Sequence, residues 1–128
     1  MKSETIGTAT FETWTPEETR KALDANEIVL IDVRTPQEFM FEHIDGALLL
    51  PMSFFRADKL PGQSDKRIVF HCGSGVRSAM VSKKCIEAGF ELIAHVEDGM
   101  AGWKKAKLPH IGTNMATGAP QEIVPKAD

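Results

Sequence analysis

The sequence predicts an α/β fold, with a mostly parallel sheet of about four to five short strands and helices on both faces. Three observations carry this. Short apolar runs rich in β-branched residues occur at 28–33, 47–50, 67–71 and 92–96. Runs that are apolar without alternation suit strands buried on both sides. Segments with helix-start signals separate the runs, and strands that alternate with helices pair in parallel through crossovers.

Residues 1–13 are polar and poorly patterned apart from Phe11, and read as an N-terminal extension over 1–12. Thr15-Pro16-Glu17-Glu18 opens a helix: Thr15 caps, Pro16 suits the first helical position and Glu18 completes a capping box. This helix is expected to run to about Asn26, followed by the strand 28–33. Thr35-Pro36-Gln37-Glu38 repeats the signature and starts a short helix over 36–42. Asp45-Gly46 marks a turn, and Pro51 stops the strand 47–50.

Residues 53–59 suit a short helix that ends at Pro61-Gly62. After the strand 67–71, a helix is expected over 78–88, closed by Gly89 in the left-handed region with Phe90 folding back. The strand 92–96 follows, then a helix from Gly99 to about Ala106, capped by Asp98, with Trp103 facing inward. Leu108-Pro109 ends it. The Gly-, Pro-, Ala- and Thr-rich stretch from His110 reads as a loose or draped tail over 110–128. The domain proper is thus expected at 13–109.

A chain of 128 residues suits one domain, and 42% hydrophobic with 26% charged residues is ordinary globular composition. The net charge of −3 gives no electrostatic reason to expect nucleic acid or an anionic membrane as partner. No run approaches the ~20 apolar residues of a membrane helix. MKSETIGTATFETW lacks an apolar signal core, so the expected location is cytoplasmic. Cys72 and Cys85 make no disulfide framework, and in a reducing compartment both are free thiols. Metal-ligand spacings are absent, and no cofactor is implied.

The segment HCGSGVRS, residues 71–78, carries the chemistry. Cys72 ends a strand, where ligands of parallel sheets bind. Gly73 and Gly75 let the backbone curl so that several N–H groups face one point. The following helix N-terminus, Arg77 and the hydroxyls of Ser74 and Ser78 favour an anion there. A cysteine in this setting is a thiolate at neutral pH and a nucleophile. A lone cysteine is more often a small core residue; Cys72 and Arg77 together move the reading to a cradle of residues 73–78 around a reactive sulfur. A nucleotide P-loop is set aside because no lysine follows the last glycine.

Ile31-Asp32-Val33-Arg34 with Pro36, Glu38 and His43-Ile44-Asp45-Gly46-Ala47 resembles the first rhodanese signature. Gly99-Met100-Ala101-Gly102-Trp103 resembles the second, and Cys72 to Ser78 falls where that family carries its active-site loop. The resemblance covers about 13–109 and implies a rhodanese-like three-layer fold and a single-domain sulfurtransferase. Cys72 would take a sulfane sulfur from thiosulfate or a mercapto acid and hold it as a persulfide. Cyanide, a small thiol or a thioredoxin-like protein thiol would remove it. Gly73, Ser74, Gly75, Val76, Arg77 and Ser78 would bind substrate. Asp32 would lie near the site, and Arg34 would brace the domain through ion pairs.

The C-x4-R loop resembles the sulfur-transferring branch, whereas phosphatases and arsenate reductases of the family carry one residue more. His71 and Ser78 echo the phosphatase pattern, so that activity stands as an alternative, beside a sulfur-relay module acting on a partner protein thiol. The opening Cys72-Gly73-Ser74-Gly75-Val76 is similar to mercaptopyruvate enzymes, yet those lack an arginine at the position of Arg77. No donor is therefore chosen.

Cys85 shares a helix face with Val81 and Ala88 and reads as core rather than a resolving thiol. His71 should point away from Cys72 and be packed or hydrogen-bonded. His43 reads as structural and Trp103 as core. Lys83 and Lys84, and Lys104, Lys105 and Lys107, read as solvated faces.

Overall fold

The structure is a computed structural model that describes residues 1–126. Both capping boxes form. In α1 (Pro16–Asp24) and α2 (Pro36–Phe41), Thr15 and Thr35 accept from the backbone N–H groups of Glu18 and Glu38, whose carboxylates reach back to the cap residues. These motifs work between residues three apart, so the sequence alone specifies them. α2 stops at Phe41 because Glu42 is already extended.

The parallel strands are β2 (Ala9–Trp14), β3 (Ile28–Asp32), β5 (Leu48–Leu49), β6 (Arg67–His71) and β7 (Leu92–Val96). With β1 (Lys2–Ile6) they form a six-stranded sheet in the order β1-β2-β7-β6-β3-β5, with β1 antiparallel at one edge. Two short 3₁₀ turns, Met52–Phe54 and Ala57–Lys59, stand where a short helix was expected.

α3 (Val76–Glu87) starts two residues before the expected Ser78. It ends as expected: Gly89 has φ 109°, and the N–H groups of Gly89 and Phe90 donate to the carbonyls of Ile86 and Cys85, a Schellman closure. α4 (Gly99–Lys105) follows β7. Asp98 stands at its cap position but in the left-handed region, with no side-chain capping bond, contrary to expectation.

Two further expectations are corrected. Residues 1–13 are no unpatterned stretch: β1 and β2 form a hairpin, and β2 pairs with β7. Ala9 and Phe11 alternate inward as a half-buried strand requires. Nor is the chain after Pro109 a loose tail. His110–Thr113 (β8) and Pro120–Ile123 (β9) build a second, antiparallel sheet with Glu42–His43 (β4), in the order β4-β8-β9. Residues 127–128 of the expected tail lie outside the described residues.

The sheet alternation sorts side chains into two cores. Leu30, Val69, Ala94 and Val96 meet α1 and α4 through Ala22, Met100 and Trp103 on one face. Ile31, Ile68, Phe70 and Ile93 meet α3 through Val81 and Cys85 on the other, and Cys72 joins that cluster. Helices therefore cover both faces, giving three layers. Trp103 is buried, as expected, and its Nε1 donates to the Pro109 carbonyl at 2.9 Å. Among the described residues no helix is long and apolar enough to cross a membrane.

Candidate active site

Cys72 follows β6 directly, at the carboxyl edge of the sheet. Gly75 then adopts φ 102°, open to glycine but strained for other residues, and Val76 begins α3. This tight turn is why the helix starts early. It also places the Gly75 and Ser78 backbone N–H groups 3.1 and 3.4 Å from Cys72 Sγ. The Ser78 hydroxyl lies 3.6 Å from the sulfur.

The loop carbonyls point the other way. Met100 N–H donates to the Cys72 carbonyl at 2.7 Å, and Ala101 N–H to the Gly73 carbonyl at 3.1 Å. In a trans peptide the N–H opposes the C=O. Docking the first turn of α4 against these carbonyls thus turns the intervening N–H groups inward. Gly99, with φ 52°, allows the approach, because a Cβ there would collide with the Cys72 carbonyl.

Cys72 is fully buried, which by itself would raise its pKa. The Ser78 N–H and hydroxyl and the Ser74 and Gly75 N–H groups outweigh that, and the thiol lies below its usual value. Cys85 is equally buried without such donors, and burial pushes it up to about 12. It is a core thiol, as its helix position implied.

The predicted cradle residues are not equivalent. Gly75 and Ser78 contact the sulfur, whereas Gly73 turns its carbonyl to α4 and lies under Arg77. Ser74 is exposed and turns its N–H toward the sulfur; the hydroxyl that reaches Sγ belongs to Ser78. Val76 is exposed and, with Met80, lines a shallow apolar cavity on the outer side of the loop. Arg77 lies over Gly73, where a Cβ would meet its Nη2 at 3.2 Å. Its guanidinium is not unpaired, because Nη1 and Nη2 donate to the two carboxylate oxygens of Glu38 at 2.7 and 2.9 Å. That bidentate bond, against some desolvation, holds Glu38 at about 2.

Asp32 and Arg34 lie at the end of β3 and are buried. The Arg34 guanidinium donates to both Asp32 oxygens at 2.8–3.1 Å, and its Nη2 also reaches the Glu42 carbonyl at 2.7 Å. Burial opposes the Asp32 charge, but His71 and Arg34 more than offset this and hold the carboxyl well below the usual range. His71 is enclosed, with Nε2 3.3 Å from Asp32 Oδ2 and Nδ1 3.3 Å from the Cys72 carbonyl oxygen. His43 pairs with the Phe39 carbonyl and stacks on the Phe39 ring at 4.0 Å. Lys104 bonds Glu42 at 2.6 Å, so that lysine is a surface brace.

One site residue escaped the sequence reading. His95, on β7, brings Nδ1 to 2.8 Å from the Ser78 hydroxyl. The only sequence signal was that its strand ends at the same sheet edge as Cys72.

A mostly parallel sheet with helices on both faces, and the Cys72 loop docked on α4 at its carboxyl edge, is a rhodanese-like α/β fold. The family model for the rhodanese-like domain matches residues 15–106, and the chain belongs to this family. It is 37% identical over 109 residues to an uncharacterized protein of Synechocystis, covering 85% of this chain and 61% of that one. It is 40% identical over 102 residues to the probable adenylyltransferase/sulfurtransferase MoeZ of Mycobacterium tuberculosis, covering 76% of this chain but 26% of that protein. The chain thus spans less than two-thirds of the length of these relatives. Among solved structures, thiosulfate sulfurtransferase from Pseudomonas aeruginosa superposes with a TM-score of 0.67 at 25% identity, over 78% of this chain and 20% of that one.

Proposed function

We propose that this protein is a sulfurtransferase that carries a sulfane sulfur on Cys72. Family membership and relatives named sulfurtransferases support sulfur transfer in general. The observation that carries the particular reading is the convergence of backbone N–H groups and the Ser78 hydroxyl on a buried sulfur. Such a nest stabilises a thiolate and, after reaction, a persulfide anion in nearly the same place.

With thiosulfate as donor, the Cys72 thiolate attacks the outer sulfur. A new S–S bond forms, the S–S bond of thiosulfate breaks, and its electron pair leaves on sulfite. Cyanide then takes the outer sulfur as thiocyanate and returns the thiolate. A thiol acceptor, small or on a thioredoxin-like protein, serves the same step. Arg77 contacts the anionic end of the donor, which must compete with Glu38 for the guanidinium.

Intact-mass spectrometry tests this. Thiosulfate should add one sulfur, about 32 Da, to Cys72, and cyanide should remove it. No added sulfur with thiosulfate or mercaptopyruvate, together with hydrolysis of an aryl phosphate, would replace this reading with the phosphatase one.

A further inference from the structure

The Ser78 hydroxyl has partners on two sides. Cys72 Sγ is 3.6 Å away and His95 Nδ1 2.8 Å away. The other nitrogen of that ring, Nε2, lies 3.3 Å from Thr13 Oγ1 on β2. Cys72 and Ser78 are fully buried and His95 nearly so, while Thr13 is only partly buried. A chain of four side chains from the loop, α3, β7 and β2 therefore links the Cys72 sulfur to a part-buried hydroxyl at the edge of the protein.

We propose that Ser78, His95 and Thr13 form a proton wire that empties and refills Cys72, with His95 as the positioning residue that switches tautomer. This rests on Cys72 being the nucleophile. In the thiol state, Cys72 S–H donates to Ser78 Oγ, Ser78 O–H donates to His95 Nδ1, and Nε2–H donates to Thr13 Oγ1. When the thiolate forms, each proton moves one place outward. Ser78 takes the thiol proton and gives its own to Nδ1. Nε2 releases its proton through Thr13 to solvent. The S–H bond breaks, its electron pair stays on sulfur, and one proton leaves in total. Afterwards Ser78 O–H points at the thiolate, Nδ1–H at Ser78, and Thr13 O–H at Nε2, so every donor is used in both states.

The surroundings suit a ring that stays neutral. Burial lowers the His95 pKa, partly opposed by Glu97. The groups facing the ring are Thr13 and the Phe11 ring at 4.8 Å from β2, Ser78 from α3 and Gly75 from the loop, and Lys83 of α3 lines the same cavity. Glu97 and Asp98 follow directly after its strand, and Lys2 bonds Glu97 at the surface. Without His95, the Ser78 O–H would divide itself between the sulfur and the Gly75 carbonyl, 3.2 Å away.

The test is ¹⁵N NMR of the His95 ring across pH, beside the pH dependence of Cys72 alkylation by iodoacetamide. His95 should pass from the Nε2–H to the Nδ1–H tautomer with the same midpoint as Cys72 alkylation, and the passage should vanish in Cys72→Ala. His95→Phe should slow alkylation at pH 6 roughly threefold to tenfold and leave the high-pH plateau intact. Thr13→Val, a surface change that keeps shape, should hold His95 in one tautomer. A ring that keeps one tautomer across the Cys72 titration, or a His95→Phe profile that superimposes on the native one, overturns the wire. Absence of the added sulfur after thiosulfate, with tautomer exchange intact, overturns only the sulfur-transfer reading.

Discussion

Two buried polar clusters lie side by side at the carboxyl edge of the sheet. One ends β3, where Asp32 and Arg34 meet charge with charge and Arg34 reaches on to the Glu42 carbonyl. The other follows β6, where Cys72 is met by neutral backbone N–H groups and a hydroxyl at 3.1–3.6 Å. The strands are neighbours, with Asp32 opposite His71. The first cluster is closed: Arg34 holds both carboxylate oxygens at 2.8–3.1 Å, and the buried His71 ring lies 3.3 Å from Oδ2. The second is loose, and its donors converge on an atom that must change charge and gain a neighbour. Tight pairing fixes a scaffold, whereas convergent but long bonds leave room for chemistry.

Substitutions should separate the two clusters. Cys72→Ser should abolish sulfur transfer while leaving thermal stability near native; retained thiocyanate production would remove the nucleophile assignment. Asp32→Asn should do the reverse. It leaves Arg34 buried without its counter-charge and should cost about 3–5 kcal/mol in chemical denaturation, typical of a broken buried pair. A loss under 1 kcal/mol would mean that the pair is not the scaffold described.

The same pair sets an acid limit. Asp32 titrates below its unfolded value, so its contribution is complete above about pH 4 and is lost as pH falls toward the depressed folded value. Asp32→Asn should therefore flatten the stability-versus-pH curve in the acid range.

Arg77 stands between the clusters in character, since it is charged and paired but partly exposed. Arg77→Ala should raise KM for thiosulfate by roughly tenfold, as expected from losing a charged hydrogen bond of about 1.5–3 kcal/mol that is partly solvated. An unchanged KM would place the guanidinium outside the donor's path. Glu38→Gln keeps the side-chain acceptor oxygen that a capping box needs but removes the charge competing for Arg77. KM should then fall a few-fold with kcat steady, and a rise would show that Glu38 aims the arginine rather than restrains it. The smallest effect is expected from Cys85→Ala, which removes a core thiol and should leave activity within about twofold at a modest cost in stability.

Features within one turn of chain were legible in the sequence. The capping boxes at Thr15 and Thr35 and the Gly89 closure were, because each involves residues at most five apart. Cys72 and its glycines were legible for the same reason. The hairpin of β1 and β2 was not, since β1 is polar but for Ile6 and β2 finds its place only beside β7. β8 depends likewise on pairing with β4 across about seventy residues, and β9 in turn on pairing with β8. The partners of Arg77 and Ser78 were hidden too. Glu38 showed as a cap residue, with no local sign that it also grips an arginine. Nothing local marks His95, which reaches the site through sheet order alone.

Gly99 shows how narrow the permitted alphabet of such a site becomes. Its backbone is left-handed, and the space a methyl would fill belongs to the Cys72 carbonyl. A library randomised at position 99 and selected for sulfur transfer should return a single letter, although that residue has no side chain with which to touch any substrate.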